Sequence, residues 1–492
     1  MAKAETKKEI RKPYLWEAII AFLALIVIVL VTVAVFDATL HFPMMFAVVV
    51  AAFFMMRCGY TWKDVEKSMI NGIALALPAT LILIVVGALI AIWVLAGIVP
   101  TMIYWGLAIM DPRFFFVATM IICSLTSMIL GTSWGTAGTL GVAFLGIAIG
   151  LGIPVYMAAG AVVSGAYFGD KLSPLSDTTN MTSSVAGADL FAHIKNMLPQ
   201  TVIAYVLALI IFLILGFAMA GGAADLGDVA MLRGGISTHF NTNPLLLLAP
   251  VIVMVAIGLK VPALPGILIG AVVGVIFAFI FQDGITFAGI FNAAWVPPAF
   301  VAPDYPALEN LFGRGGIRAK MYAVSLIAIA MSYGGIMDKS RMLEVIVDKI
   351  IQWFVKGAKS LVTTTVAVTV ASNIAFAEQY VGVILPTRMF ARTYRRRGYH
   401  PKMLSSAVDG TGTLTSPLIP WNTCGIAMAG FLGVTAWQFA PFAFFNWLVP
   451  FATIGLAMAG KYVRYLKDDP TTVTSAYEEA FKDEPIPEEA TA

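Results

Sequence analysis

Phe168-Gly169-Asp170-Lys171-Leu172-Ser173-Pro174-Leu175-Ser176-Asp177-Thr178-Thr179-Asn180 sets two aspartates, a lysine, a proline and four hydroxyl side chains between long apolar runs. Proline removes a helical hydrogen bond and clashes with the preceding turn, so a helix entering this stretch stops before Pro174. The surroundings make that break unusual. Of 492 residues, 60% are hydrophobic and 12% are charged, against about 25% charged in a soluble domain. Such a chain cannot cover a water-facing surface, so it belongs in a bilayer. Broken backbone at membrane depth is tolerated only where it is buried in protein or lines a cavity, because lipid cannot pair the freed amides and carbonyls.

Working outward, a segment about 240 residues later carries the same signature. Ser173-Pro174-Leu175 falls over Ser416-Pro417-Leu418, and Gly141-Val142 over Gly382-Val383. Several matches in one order at nearly one offset indicate an internal duplication. Charge indicates how the copies sit. The turn from Phe144 to Pro154 has no charge, whereas its counterpart holds Arg388, Arg392, Arg395, Arg396, Arg397 and Lys402. Basic residues mark the cytoplasmic side, so the two turns face opposite ways. The expected fold is an all-α polytopic membrane protein of two inverted-topology repeats, each with about five transmembrane helices, a re-entrant hairpin and a broken helix.

The apolar run from Leu15 to Phe36 is too long for a signal-peptide core and lacks a cleavage site, so it is a retained first span. The expected organisation is a basic cytoplasmic tail (1–14), a first transmembrane repeat (15–220), an extracytoplasmic connecting loop (221–243), a second repeat (244–460) and an acidic cytoplasmic tail (461–492). About ten spans then leave both termini in the cytoplasm. Asp338 to Lys356 mixes charge with Met342, Leu343, Val345 and Ile346 in the manner of an interfacial amphipathic helix. The last 25 or so residues read as a disordered acidic tail. Cys58, Cys123 and Cys424 are too few and too scattered for a disulfide framework or metal knuckle and read as small buried hydrophobes. Nothing in the composition indicates nucleic acid.

Four interruptions are expected at membrane depth: Gly131 to Thr136, Phe168 to Asn180, Ser372 to Gln379, and Asp409 to Thr423. Their hydroxyls, amides and freed carbonyls are hard oxygen ligands that can replace the water shell of a small cation, and a carboxylate supplies the compensating charge. A carboxylate in a low-dielectric site holds either a proton or a sodium ion, and competition for one such group is the simplest antiport device. Asp170 and Asp177 lead the candidates, with Na+ expected in their region, followed by Glu378 and Asp409. Thr132, Ser133, Ser372, Asn373, Thr178, Thr179, Asn180, Asn422 and Thr423 are candidate ligands.

Each candidate also has a structural reading. Asp170 beside Lys171 forms an ion pair closing a helix break; Asp177 caps a helix; Glu378 ends a hairpin arm in water; Asp409 is a turn residue before Gly-Thr-Gly; and the hydroxyls bond back to their own helices. Lys171 is a counter-ion or an anchor for a substrate carboxylate. His41, His193, His239 and His400 are all expected in loops as solvated side chains.

At these residues the chain resembles the NhaC-type sodium/proton antiporter family. The resemblance is carried by Gly131 to Thr136 (GTSWGT), Phe168 to Asn180 (FGDKLSPLSDTTN), Ala377 to Phe390 and Ser416 to Gly425 (SPLIPWNTCG), and covers about Ala18 to Arg464. It implies secondary active transport of Na+ against H+, an elevator-like transport domain, a homodimer in the bilayer, and no cofactor beyond the transported ions. Members of the wider family also exchange malate and lactate, so a sodium-linked organic-acid exchanger of a prokaryotic inner membrane is the rival. Li+ stands beside Na+ as a cation. An intramembrane enzyme requires a histidine or metal pair on a span, which the loop placement of all four histidines opposes.

Overall fold

The computed structural model describes residues 10–36, 38–219, 226–259, 261–297, 300, 309, 312 and 315–481, and it is helical throughout with two isolated backbone bridges. Helices dominate because a segment in lipid must pair its own amides and carbonyls. The first half begins with α1 (Leu15–Phe36), α2 (His41–Arg57) and α3 (Trp62–Leu75). There follow α4 (Leu77–Leu95), a short α5 (Ile98–Ile109) and the hairpin arm α6 (Phe115–Leu130). The second arm is α7 (Ser133–Thr136), a π turn (Ala137–Gly141) and α8 (Val142–Gly150). The broken helix is α9 (Val155–Leu172) with α10 (Asp177–Ala186), and α11 (Leu190–Met219) closes this half.

The second half opens with α12 (Leu226–His239), α13 (Leu248–Gly258), α14 (Ala263–Phe281) and α15 (Phe287–Trp295). It then repeats the earlier succession of element types. A long helix α16 (Ile317–Lys339) leads to a short α17 (Met342–Phe354) and two hairpin arms, α18 (Ala358–Phe376) and α19 (Gln379–Arg396). A broken helix follows, α20 (Pro401–Thr415) with α21 (Thr423–Leu432). A one-turn α22 (Ala436–Phe439) and a final α23 (Phe444–Met458) complete the half, and α24 (Ser475–Ala480) lies beyond it.

Among the described residues six helices are long and apolar enough to cross a membrane alone, and eight spans result if each of two bent pairs counts as one. About ten spans were expected. The shortfall has a chemical cause: the broken helices carry hydroxyls and charge, while the apolar helices His41–Arg57, Phe115–Leu130 and Phe444–Met458 have fewer than 18 residues. The amphipathic segment is α17, which buries Met342, Leu343 and Val347 and begins after Arg341 turns through the left-handed region at φ 57°.

Four local expectations are corrected. Helix α9 runs to Leu172, so the first break is only Ser173–Ser176. Helix α20 continues through Asp409-Gly410-Thr411-Gly412 to Thr415, and the second break starts at Ser416. Asp409 is therefore a helix-interior residue. His193 is not in a loop; it lies in the first turn of α11 and is fully buried. The acidic tail is ordered as far as Phe481. Ala188 bridges to Val473 and Tyr399 to Tyr465, Asp189 N donates to Thr472 O at 2.9 Å, and Lys402 pairs with Asp469. Asp483, Glu484, Glu488 and Glu489 lie outside the described residues.

The three cysteines are free and buried. At the inner core, α6 and α9 touch backbone to backbone: a Cβ on Gly169 would lie 2.3 Å from Ser124 O. Small residues permit this approach where lipid supplies no hydrophobic drive between helices.

Candidate functional site

The hairpin tips meet the helix breaks. Gly131, at the turn between α6 and α7, adopts φ 67°, and a Cβ there would lie 2.8 Å from Leu175 backbone. Next to it Thr132 caps α7, accepting from Gly135 N at 3.3 Å. Ser133 Oγ donates to Asp170 Oδ2 at 2.8 Å, and both residues are buried. The tip of one hairpin is thus bonded to the last turn of the helix that breaks beside it. Below Asp170, Thr179 Oγ1 donates to Lys171 O at 3.1 Å, and Ser176 and Thr178 pair their hydroxyls at 3.0 Å. The break therefore brings buried hydroxyls up to one carboxylate.

In the second half Ala377 turns through φ 56° and its carbonyl accepts from Thr423 N at 2.8 Å. Glu378 is 6% exposed, and its Oε2 accepts from Val381 N at 2.8 Å. It caps α19 inside the protein instead of ending in water. Asn373 Nδ2 donates to Gly412 O at 2.7 Å and to Thr415 Oγ1 at 3.0 Å, while Asn422 Nδ2 donates to Asn373 O at 3.1 Å. Asn422 Oδ1 in turn accepts from Cys424 N and caps α21. Gln379, which the sequence did not single out, accepts from Ser416 Oγ at 3.3 Å and from Cys424 Sγ.

Asp409 belongs to a different group. Its Oδ1 accepts from Thr413 Oγ1 at 2.6 Å, and its Oδ2 lies 3.4 Å from His193 Nε2, both side chains fully buried. Lys171 turns away from Asp170 toward this group: a Cβ on Gly410 would lie 2.8 Å from Lys171 Nζ. No ion pair joins Asp170 to Lys171 among the described residues, so the expected closing pair is absent.

Other candidates fall outside this core. Asp177 opens α10 with an exposed side chain and makes no side-chain cap. Asn180, also exposed, donates to Pro174 O and Ser176 O, both at 2.8 Å, and so holds the break in shape. Ser372 bonds back to Val368 O at 2.8 Å. The sequence offered one overlooked signal for His193. His193, Met197, Gln200, Thr201, Ala204 and Ala208 are buried at helical spacing, which places the imidazole on the inward stripe of its span. A cavity of about 950 Å3 elsewhere, lined by residues such as Val94, Leu326 and Phe431, reaches neither aspartate.

Two helices broken against two hairpin tips, with buried carboxylates at the junctions, define a multi-pass membrane protein with a polar core. The chain matches the Na+/H+ antiporter family over residues 165–461 and belongs to it. A malate-2H+/Na+-lactate antiporter of Bacillus subtilis (strain 168) is 38% identical over 94% of this chain and 98% of its own length. The Na+/H+ antiporter NhaC of Alkalihalophilus pseudofirmus is 34% identical over 87% of this chain and 92% of its own. An arginine/ornithine antiporter, ArcD, of Halobacterium salinarum is 33% identical over 83% and 84% respectively. Antiport is common to these relatives, and the exchanged solutes differ.

Proposed function

We propose that this protein exchanges Na+ for H+ across the cytoplasmic membrane of a prokaryote by alternating access, as a secondary transporter without catalytic chemistry or cofactor. The observation that carries the reading is the buried Ser133–Asp170 bond, which ties a hairpin tip to a helix break. Asp170 is the carboxylate at which Na+ and a proton compete, with Ser133, Thr178 and Thr179 as neighbouring oxygen donors. Glu378, Asn373, Asn422 and Thr423 form the corresponding junction in the second half. Membership of the Na+/H+ antiporter family supports the ion pair exchanged. The repeated succession of elements and the opposite charge of the two hairpin-following turns support inverted repeats with both termini cytoplasmic. On this reading the hairpins and broken helices move together past the remaining spans, elevator-like, in a homodimer.

The test uses purified protein in liposomes with a trapped pH dye. Na+ pulses should drive proton movement of opposite sign, Li+ should substitute at least in part, and Asp170→Asn should abolish the response. Silence of the parent protein to Na+ at every pH between 5.5 and 9 would sink the reading.

A second reading is sodium-linked exchange of small carboxylates such as malate or lactate. It is favoured by Lys171 Nζ, which is buried without a hydrogen-bond partner, and by the malate-2H+/Na+-lactate antiporter among the relatives. Proton movement that requires malate or lactate in addition to Na+ would select it.

A further inference from the structure

Three buried polar atoms here lack hydrogen-bond partners: His193 Nε2 and Asp409 Oδ2, which face each other, and Lys171 Nζ, beside Gly410. Buried polar groups are almost always paired, so the two facing orphans mark something that lies between them. The neighbouring bonds indicate what it is. Ser405 Oγ donates to Lys402 O at 3.2 Å and lies 2.8 Å from His193 Nδ1. When Ser405 spends its hydrogen on Lys402 O it accepts from Nδ1–H, and that tautomer leaves Nε2 a bare lone pair. That lone pair faces Asp409 Oδ2 across 3.4 Å. Two acceptors facing each other in a dry interior repel unless a hydrogen lies between them.

We propose that His193 and Asp409 share one exchangeable proton, distinct from the one that competes with Na+ at Asp170. The inference rests on the antiport reading above. In the loaded state the proton bridges Nε2 and Oδ2. In the released state it has left to water, and the carboxylate that remains takes the Lys171 ammonium as its counter-charge. No electron moves and no bond other than the N–H or O–H bond breaks.

The groups around the pair leave few other partners. Packed against α20 are α9, α10, α11, α18, α19 and α23. Toward Asp409 they present Lys171 from α9 and His193 from α11. The Tyr462 hydroxyl, beyond α23, bonds Ser406 Oγ at 2.6 Å, and Asp170 is turned to Ser133. Thr413 holds the other carboxylate oxygen.

The test compares pH profiles of Na+-driven proton movement in liposomes for the parent, His193→Gln, Ser405→Ala and, as a control, His41→Gln, whose imidazole is exposed beside Tyr322. His193→Gln should move the half-maximal pH toward acid, because one of the two groups that share the proton is gone. The half-saturating Na+ concentration at optimal pH should stay within about twofold of the parent, since Asp170 is untouched. Ser405→Ala releases the tautomer and should give a smaller shift in the same direction, and it decides the matter alone if His193→Gln fails to fold. Profiles of both variants that superimpose on the parent would overturn the proposal. Absence of Na+-driven or carboxylate-driven proton movement in the parent would instead overturn the antiport reading beneath it.

Discussion

Ser133 Oγ and Asp170 Oδ2 lie 2.8 Å apart although 37 residues separate them in the chain. The bond joins the tip of a hairpin to a helix that ends two residues later, at Leu172. A hydroxyl there satisfies a buried carboxylate, and on the proposed reading it also offers an oxygen to an arriving cation. A hydrogen bond to a charged group contributes about 1.5–3 kcal/mol, and about 1.4 kcal/mol is tenfold in affinity. Ser133→Ala should therefore raise the half-saturating Na+ concentration about tenfold while transport persists at high Na+, whereas Asp170→Asn should remove it. Half-saturation measured at three pH values distinguishes a ligand loss from a shift in proton competition.

Asn373 supports the second junction. Its amide donates to Gly412 O and Thr415 Oγ1, and so pins hairpin arm α18 to the end of α20. Removing it breaks two buried hydrogen bonds, each contributing about 0.5–1.5 kcal/mol, while Gly412 O keeps the Ser416 N–H. Asn373→Ala should lower the thermal midpoint of the detergent-solubilised protein by several degrees, and Asn373→Asp should not rescue it because the donor is lost. An unchanged midpoint for Asn373→Ala would show that the bond contributes nothing to holding the arms together.

Much of this arrangement was legible in the chain before its fold. Ser-Pro-Leu recurring in two apolar contexts located both helix breaks, since proline punctuates a helix wherever it falls. Hydroxyls next to glycine at Gly131 to Ser133 located one tip. What the residues did not give is depth and partnership. Asp177 and Asp170 look equivalent in sequence, yet Asp170 is buried in the last turn of α9 and Asp177 is exposed at the start of α10, beyond the break. Asp409 precedes Gly-Thr-Gly, which leaves a turn residue and an ion-site carboxylate equally open in sequence, but α20 continues through the glycines despite their weak helix propensity. At His193 a polar Ala-His-Ile-Lys-Asn stretch masks the inward stripe that begins there.

Lys171 offers a clean separation of the two substrate readings. Its ammonium is buried beside Gly410, away from the Ser133–Asp170 junction. If the transported anion is a carboxylate, Lys171→Gln should abolish malate- or lactate-dependent proton movement. If the cargo is Na+ alone, the same variant should still exchange Na+ for H+, with an altered pH profile because Asp409 loses its counter-charge. Radiolabelled Na+ and labelled malate uptake in the same vesicles read both outcomes at once.

The ordered strap from Tyr465 to Phe481 gives a pH-dependent prediction outside the membrane. His400 caps α20, accepting from Lys402 N through Nδ1 at 3.1 Å, and its Nε2 lies 2.9 Å from Asp469 O. Burial, reinforced by the nearby Lys402 charge, pushes the imidazole down from 6.5 to about 4. The docked strap thus holds His400 neutral, and the released strap exposes an imidazole that protonates in the ordinary range. Docking is at full strength above pH 6.5 and weakens as pH falls from 6.5 toward about 4, because only the released state takes up the proton in that window. Asp469 acts at lower pH, since its hydrogen bond with Lys402 holds its carboxyl below the usual range. Tyr477, which stacks near Arg395 at 5.3 Å and packs on Gly187, should be released with the strap. Hydrogen exchange of residues 465–481 should therefore accelerate between pH 7 and pH 5 after correction for intrinsic rates, and His400→Gln should flatten that dependence. Protection that stays constant across the window in the parent protein would show that His400 does not couple the strap to pH.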